Sequence, residues 1–282
     1  MYHSPREMPD KGGGSMNKKN MKNLYASIFY SLKKTGMLRT IFLLIALLEV
    51  VTIVGPFMDH DSWGTPMSAS FYISSYMNEN VMFPFMFMGF LVGVVCAGGF
   101  GDKTANYDIL CGYSRWQVFR AQSLVSMGVS FASTFILNSL PVLVCLLVWG
   151  PGDHMAMRDL WIRYLMTSVV YVRFATILIF LSYAIRNVFI SGLFGYFFMC
   201  MAEILPAAAG EMNAKSPILA SNMFFQCQYI QAYYAVGVEY SSGSFNASMD
   251  PQMILTIIIS TILGGLVFLT FGYVIFKKYD FR

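Results

Sequence analysis

Long apolar stretches alternate with polar segments along the chain from about residue 38 onward. Six of these stretches reach the ~20 residues that a helix needs to cross ~30 Å of hydrocarbon. The pattern therefore predicts six transmembrane helices, near residues 38–58, 81–100, 121–149, 160–184, 188–206 and 253–276.

The segment before the first apolar stretch has a different character. Residues 1–15 end in a Gly-Gly-Gly-Ser run, which is typical of an expression tag and linker, so we expect one transmembrane domain over 16–282. Leu24, Ile28 and Leu32 then recur every four residues among lysines. This spacing predicts an amphipathic helix, which either lies in the inner-leaflet interface or simply extends the first span.

The longest polar stretch between the second and third spans covers residues 101–122. Asp102 can cap a short helix, and Gly112 suits the left-handed position that ends one. Ser114 and Gln117 form the S-x-x-Q pattern of a capping box, so a second helix should start there. We therefore predict a short helix, a glycine break and a long helix.

The apolar positions of this short helix, Ala105, Ile109 and Leu110, fall near one side. The stretch also carries three cations: Lys103, Arg115 and Arg120. Because cytoplasmic loops carry an excess of Lys and Arg, these cations predict that the stretch lies at the cytoplasmic membrane surface.

Composition supports the same class of protein. Hydrophobic residues make up 56% and charged residues 12% of the chain, and the mean hydropathy is +0.56, far from the usage of soluble domains. The fold class is thus an all-α polytopic membrane protein in a lipid bilayer. The net charge of +4 reflects cations beside the spans and indicates orientation, with no nucleic-acid partner.

The distribution of Lys and Arg predicts the orientation of the spans. After the tag, thirteen cations, Arg186 among them, fall on one side, and three external cations, Arg158, Arg163 and Lys215, fall on the other. Both termini should therefore be cytoplasmic. Residues 59–80 and 207–252 are then external. The second of these segments has a middle part that is rich in Gln and Tyr, and we expect short re-entrant helices there before the last span.

Small residues repeat along two of the spans. Gly89, Gly93 and Ala97 are four residues apart in the second span, and Ser260 and Gly264 have the same spacing in the sixth. Such rows let neighbouring helices approach closely. They predict either tight static packing or an interface that moves.

Three charged residues, Glu49, Arg173 and Glu203, lie inside apolar spans. Each costs ~2.5–3.5 kcal/mol at mid-membrane unless it is paired or hydrated. Glu49 and Arg173 are each eleven residues from the inner boundary of their spans, or ~16 Å at 1.5 Å per residue. They could form an ion pair at that depth, or each could face a wet cavity or snorkel separately.

Motifs of enzyme chemistry are missing from the sequence. It contains no G-x-x-x-x-G-K-[ST], no H-E-x-x-H and no G-x-S-x-G. The five cysteines are scattered without a C-x-x-C pair, which supports neither a disulfide framework nor a metal site. We therefore expect no catalytic residue, metal or cofactor in this chain.

The polar stretch at 101–122 and the end of the chain resemble a known family, the ABC-2 type transporter permeases, which are membrane subunits of bacterial ABC exporters. The residues that carry the resemblance are Phe100, Lys103, Thr104, Leu110, Gly112, Tyr113, Ser114, Arg115, Val118 and Phe119, and the ending Phe276-Lys277-Lys278-Tyr279-Asp280-Phe281.

In that family the first cytoplasmic loop is a coupling helix that docks on a separate ATPase, and that ATPase binds ATP and Mg. The resemblance also implies a second permease half, identical or different, because six spans make half of the path. Coupling would then fall to the loop residues Asp102, Lys103, Thr104, Asn106, Tyr107, Asp108, Gly112, Ser114 and Arg115.

The resemblance thus implies the permease subunit of an ATP-driven exporter in a bacterial cytoplasmic membrane. The small external loops favour an amphipathic peptide, such as an antimicrobial peptide, or a drug as substrate. Two other classes stay open. One is a secondary transporter or channel that uses the buried charges, and the other is a membrane scaffold or sensor without transport.

Overall fold

A computed structural model of the chain describes residues 18–63, 68–70, 72, 82–101, 104–152, 156–208, 221–230 and 249–278. These residues form helices, and none of them lies in a strand. The helices are α1 (Lys18–Lys34), α2 (Gly36–Trp63), α3 (Met82–Cys96), α4 (Gly98–Gly101), α5 (Thr104–Leu110), α6 (Arg115–Trp149), α7 (Met157–Ile185), α8 (Val188–Ala208), α9 (Met223–Ile230) and α10 (Pro251–Lys278).

Three helices, α6, α7 and α10, are long and apolar enough to cross a membrane. Shorter apolar runs occupy parts of the other three helices that overlap predicted spans, at Gly36–Leu47, Phe87–Cys96 and Val188–Phe198. The described part of the chain is therefore an all-α protein with the character of a membrane protein.

Helix α7 is the centre of this fold. It packs against α3, α6, α8, α9 and α10. Within its most apolar 18-residue window 67% of the residues are buried, against 17% in α10. Because α7 is surrounded by protein and α10 shows apolar side chains to the outside, α7 forms the core and α10 belongs to the periphery.

The contacts between helices give their relative directions. A Cβ built on Gly264 would lie 2.9 Å from Nε of Arg173, and one on Gly272 would lie 3.5 Å from Cα of Phe180. The residue numbers of the contacting pairs increase in the same direction along both helices, so α10 runs parallel to α7. Along α3 and α8 they change in opposite directions, so these two helices are antiparallel.

Helices α3 and α8 approach each other at their small residues. A Cβ on Gly89 would lie 2.9 Å from Cα of Gly192, and one on Gly93 would lie 3.0 Å from the carbonyl oxygen of Val188. Ala97 is buried at the end of the same row. These backbones are in direct contact, so no side chain larger than glycine fits at Gly89 without moving α8.

The two small residues of α10 contact different parts of the protein. Ser260 accepts a hydrogen bond of 3.0 Å from Nε2 of Gln226 on α9. Gly264 lies against the Arg173 side chain of α7. The row in α10 therefore makes room for polar groups, in contrast to the backbone contact of α3.

Helix α1 is separate from α2. Thr35 is the one residue between them, and its N–H donates to the carbonyl of Ser31 while its carbonyl accepts from the N–H of Leu38. Leu24, Ile28 and Leu32 are all buried, because this row packs towards α3 and α6. Helix α1 is thus an amphipathic helix in its own right, and the break at Thr35 rules out a continuous extension of α2.

We predict that Gly89→Ala destabilises the protein. The new Cβ would meet the Gly192 backbone at 2.9 Å, and overpacking of this kind typically costs ~1–3 kcal/mol. The thermal unfolding midpoint in detergent measures the effect.

Gly128→Ala on α6 is the matched control. No heavy atom lies within 4 Å of a Cβ built there, and alanine favours a helix over glycine by ~1 kcal/mol. Its midpoint should stay the same or rise. Equal losses in the two variants would contradict the close contact between α3 and α8.

Candidate functional site

The predicted cytoplasmic stretch begins with a break in the second apolar segment. Helix α3 ends at Cys96, Ala97 forms a turn, and α4 spans only Gly98–Gly101. The predicted span at 81–100 was continuous. Two consecutive glycines, Gly98 and Gly99, disfavour helix propagation and account for an interruption here.

The order predicted after this break is confirmed. Helix α5 ends at Leu110, and Gly112 takes a positive φ of 94°. Ser114 then caps α6: its Oγ accepts from the N–H of Gln117, and Oε1 of Gln117 accepts from the N–H of Ser114. Both hydrogen bonds of the capping box are therefore present.

Part of the coupling set lies outside the described residues. This applies to Asp102 and Lys103 entirely, and to the side chains of Thr104 and Asn106, whose backbones are in α5. The described members are Tyr107, Asp108, Gly112, Ser114 and Arg115.

One face of α5 and the turn after it points away from the protein. Tyr107 is 65% exposed and Leu110 is 80% exposed, and Cys111 and Gly112 are exposed as well. We call these four residues the loop face. Ile109, in contrast, packs against the main core.

Ile109 and Leu110 are predicted to lie near one side of the helix, but they differ in burial: Ile109 contacts the core, and Leu110 is exposed. Consecutive helical residues differ by ~100° around the axis, so the core contact of Ile109 turns Leu110 outward. The sequence pattern could not decide which of the two would be buried, because both are apolar. Leu110 and Cys111 join the site as residues that sequence reasoning missed.

Asp108 lies about 100° around α5 from Tyr107. It is half-buried, and its removal from water raises the pKa of the carboxyl group above its ordinary value. The backbone carbonyl of Asp108 accepts from the N–H of Tyr113 at 3.3 Å, across the glycine turn. This hydrogen bond closes the turn between α5 and α6, and Asp108 also lines a cavity.

This cavity has a volume of about 410 Å³ and lies behind α5. Ser27 and Ser31 of α1 line it, together with Asp108 and the turn between α7 and α8. In that turn Arg186 has a left-handed φ of 59°, and Oδ1 of Asn187 accepts from the N–H groups of the next helix. Sequence reasoning used Arg186 only as a cation for orientation, although an Asn before an apolar run is a typical helix cap.

The start of α6 is tied to the end of α10. Nη1 of Arg115 donates a hydrogen bond to the carbonyl of Lys277. Aromatic rings continue this connection into the core, with Phe119 at their centre and ring centroids 4.8–6.0 Å apart. The rings belong to Trp116, Phe119, Tyr183, Tyr273 and Phe276.

A second polar region lies at the opposite end of α7. Arg163 is 2% exposed, and its Nη1 donates to the carbonyls of Ile230 at 2.7 Å and Tyr229 at 3.3 Å. Nη1 of Arg173 donates to the carbonyl of Ser221 at 2.7 Å. The two arginines thus hold both ends of α9, which runs antiparallel to α7.

Arg163 was counted from sequence as an external loop cation, and the structure buries it instead. Its position inside the apolar stretch at 160–184 is the feature of the sequence that indicates burial. Helix α9 is also linked to the start of α10, since the hydroxyl of Tyr229 accepts from the N–H of Asp250 at 3.2 Å.

The proposed ion pair of Glu49 and Arg173 stays a prediction. Glu49 lies in α2 and Glu203 in α8, but their side chains are outside what the structure describes. The described partner of Arg173 is the Ser221 carbonyl.

No model of a known protein family matches the chain, and no curated protein matches it. Over the residues that the structure describes, no group of three His, Cys, Asp or Glu side chains is placed to hold a metal ion. The site is therefore defined by its geometry alone: an exposed loop face, a polar cavity behind it and a fixed connection to α10.

We predict that Asp108→Asn stabilises the protein at neutral pH. Burial raises the pKa of this carboxyl group in the folded state, so the folded protein binds its proton more tightly than the unfolded chain. The contribution of Asp108 to stability therefore falls as pH rises above its unfolded pKa of ~3.9. The unfolding midpoint of the variant should exceed that of the wild type at pH 7, and the gap should narrow towards pH 4.

Asp250→Asn provides the control, because it makes the same chemical change at an exposed aspartate before α10. A gap for Asp108→Asn that is constant with pH would mean that the pKa of the carboxyl group is the same in the folded and the unfolded protein. A loss of stability at pH 7 would mean that a partner stabilises the carboxylate in the folded protein. Either result would contradict the prediction.

Proposed function

We propose that this chain is the permease subunit of an ATP-driven bacterial exporter, and that the loop face docks on a separate ATPase. The observation that carries the proposal is the contrast across α5. Tyr107 and Leu110 are exposed, whereas Ile109 packs into the core and Arg115 bonds to α10. Exposed apolar side chains on a firmly anchored helix are typical of a docking surface.

The proposal includes six spans with both termini in the cytoplasm. Helices α2, α3, α6, α7, α8 and α10 overlap the six apolar stretches. In this topology α7 and α10 both run from outside to inside, and α3 and α8 run in opposite directions, which agrees with the contacts described above. Helix α1 then lies in the inner-leaflet interface, with its lysines towards the headgroups.

Helix α9 is a re-entrant helix in this topology. The carbonyl of Ser221, two residues before this helix, accepts from Arg173 near mid-membrane, and the carbonyl of its last residue, Ile230, accepts from Arg163 closer to the outer surface. Helix α9 would thus dip into the outer leaflet. Backbone at that depth is tolerated because protein groups satisfy its carbonyls.

The mechanism divides the work between two polypeptides. The partner ATPase binds ATP and Mg, since this chain has no phosphate-binding loop. ATP then drives the closure of the partner ATPases. Movement of the loop face would pass through Ser114 to α6, and through Arg115 and the ring of Phe119 to α10 and α7. A second permease half, identical or different, completes a path for an amphipathic peptide or drug.

The alternative of a secondary transporter rests on the buried charges. The hydrogen bonds of the two arginines weaken it, because Arg163 and Arg173 donate to backbone carbonyls at the two ends of α9. An ion-binding role needs groups that exchange partners during transport. A membrane scaffold or sensor without transport would have the same loop face, but substrate would not stimulate ATP hydrolysis by a bound ATPase.

Orientation can be tested with a native cysteine. Cys111 is exposed in the loop, whereas Cys96, Cys145 and Cys227 are buried. With Cys200 replaced by serine, we predict that a membrane-impermeant maleimide labels Cys111 in inverted vesicles and not in intact cells. Labelling of Cys111 from outside intact cells would overturn the topology.

Docking can be tested on the loop face itself. We predict that Tyr107→Ala with Leu110→Ser weakens binding of the partner ATPase at least tenfold, because truncating two anchors in a docking surface typically removes ~2 kcal/mol or more. Co-purification of the ATPase and substrate-stimulated ATP hydrolysis in proteoliposomes are the measurements. Both side chains are exposed, so the fold should persist.

The control changes the same residue types elsewhere. Tyr30 on α1 is 60% exposed and Leu147 on α6 is 84% exposed, so Tyr30→Ala with Leu147→Ser removes comparable surface away from the loop. This variant should keep the ATPase bound. Unchanged co-purification and activity in the loop variant would refute the coupling role.

A further inference from the structure

An apolar groove runs along the outside of the protein between α6 and α10. Its volume is about 540 Å³. Leu124 and Met127 form one wall, and Leu266 and Leu269 form the other. The groove is separate from the loop face and from the cavity behind α5, since its lining shares no residue with them.

The length of the groove matches one leaflet of a bilayer. Its lining on α6 extends from Trp116 to Met127, which is eleven residues or ~16 Å of helix rise. Half of a ~30 Å hydrocarbon core is ~15 Å. An acyl chain that enters at the membrane surface would therefore follow the groove to about the middle of the bilayer.

Cations gather at the mouth of the groove. Arg120 lines it and is exposed, one turn into α6. Lys277 and Lys278 end α10, and the hydrogen bond from Arg115 to the Lys277 carbonyl holds the two helix ends together. Over the described residues, no carboxylate pairs with Arg120. The mouth is thus positively charged, and the walls are apolar.

Two aromatic side chains mark the same level. Trp116 and Tyr273 both line the mouth, and their rings meet edge to face with centroids 4.8 Å apart. Trp and Tyr are enriched where lipid headgroups meet hydrocarbon. Cations and aromatic rings thus share the mouth, because Arg120 is about one turn from Trp116 on α6 and Lys277 is about one turn from Tyr273 on α10. Deeper in, the lining is mainly apolar, so the headgroup and the acyl chain of an anionic phospholipid would each meet matching chemistry.

We propose that this groove binds one anionic phospholipid. The acyl chain lies between Leu124 of α6 and Leu269 of α10, and the phosphate group contacts Arg120. The lipid stands in the inner leaflet if the proposed topology holds, and this assignment of leaflet rests on that proposed function. The binding itself needs no ATPase, so its failure and the failure of the coupling role are seen in different experiments.

Native mass spectrometry of the purified chain in detergent tests the proposal, with dioleoyl phosphatidylglycerol and dioleoyl phosphatidylcholine as probes. The wild type should retain one phosphatidylglycerol in preference to phosphatidylcholine. Arg120→Gln should weaken phosphatidylglycerol binding about fivefold, the effect of one cation near an anionic headgroup. Arg158→Gln, at an exposed arginine of α7 remote from the groove, should leave it unchanged.

A second measurement does not depend on the folding of the Arg120 variant. Phosphatidylglycerol with brominated chains should quench part of the tryptophan fluorescence saturably, and that part should disappear in Trp116→Phe. Equal retention of the two lipids by the wild type, or equal quenching in Trp116→Phe, would overturn the proposal.

The other possible occupant of the groove is a second copy of the chain. With Cys111 and Cys200 replaced by serine, Leu124→Cys would then form a disulfide-linked dimer on mild oxidation, and phosphatidylglycerol would not bind to that dimer. Such a result would replace the lipid by a protein interface. Lipid binding without this cross-link supports the lipid site.

Discussion

A buried arginine in an apolar helix bundle must find hydrogen-bond acceptors, and this requirement determines how the region around α9 is built. Arg163 finds them at the C-terminal end of α9, where a helix always leaves carbonyls without intrahelical partners. Arg173 finds one just before the start of α9. Eight residues are too few for a stable isolated helix, so α9 and the two arginines depend on each other. Gln226 extends the same arrangement to α10.

The region around the start of α6 is organised by a different kind of contact. Here the capping box at Ser114 sets where α6 begins, and the rings around Phe119 join that start to α7 and α10. Aromatic contacts of this type stabilise by area and by ring geometry together. A loop attached in this way cannot shift alone, because the first turn of α6 and the last turn of α10 share the Arg115 hydrogen bond. Any force on the loop acts on three helices at once.

Sequence reasoning succeeded where a feature depends on its own residues. Hydrophobic length placed the helices, and the capping box at Ser114 and the glycine at 112 were both read from local chemistry. It failed where another element decides. Leu110 was grouped with Ile109, but only Ile109 packs against the core, and Leu110 is exposed. Arg163 was counted as a loop cation. Its acceptors lie at the end of a helix more than sixty residues later, and no local sequence pattern indicates such a partner.

Helix α6 has 35 residues, or ~52 Å of rise, well beyond the ~30 Å of a hydrocarbon core. Its start carries the capping box after the loop, and just past its end the carbonyls of Gly150 and Pro151 accept hydrogen bonds from Ala69 and Ser70. One continuous helix thus connects the loop with the segment around Ala69. Pro141, eight residues before the end of this helix, removes one backbone hydrogen bond. Bending is therefore easiest there, and a bend would move the last turns of the helix relative to its start.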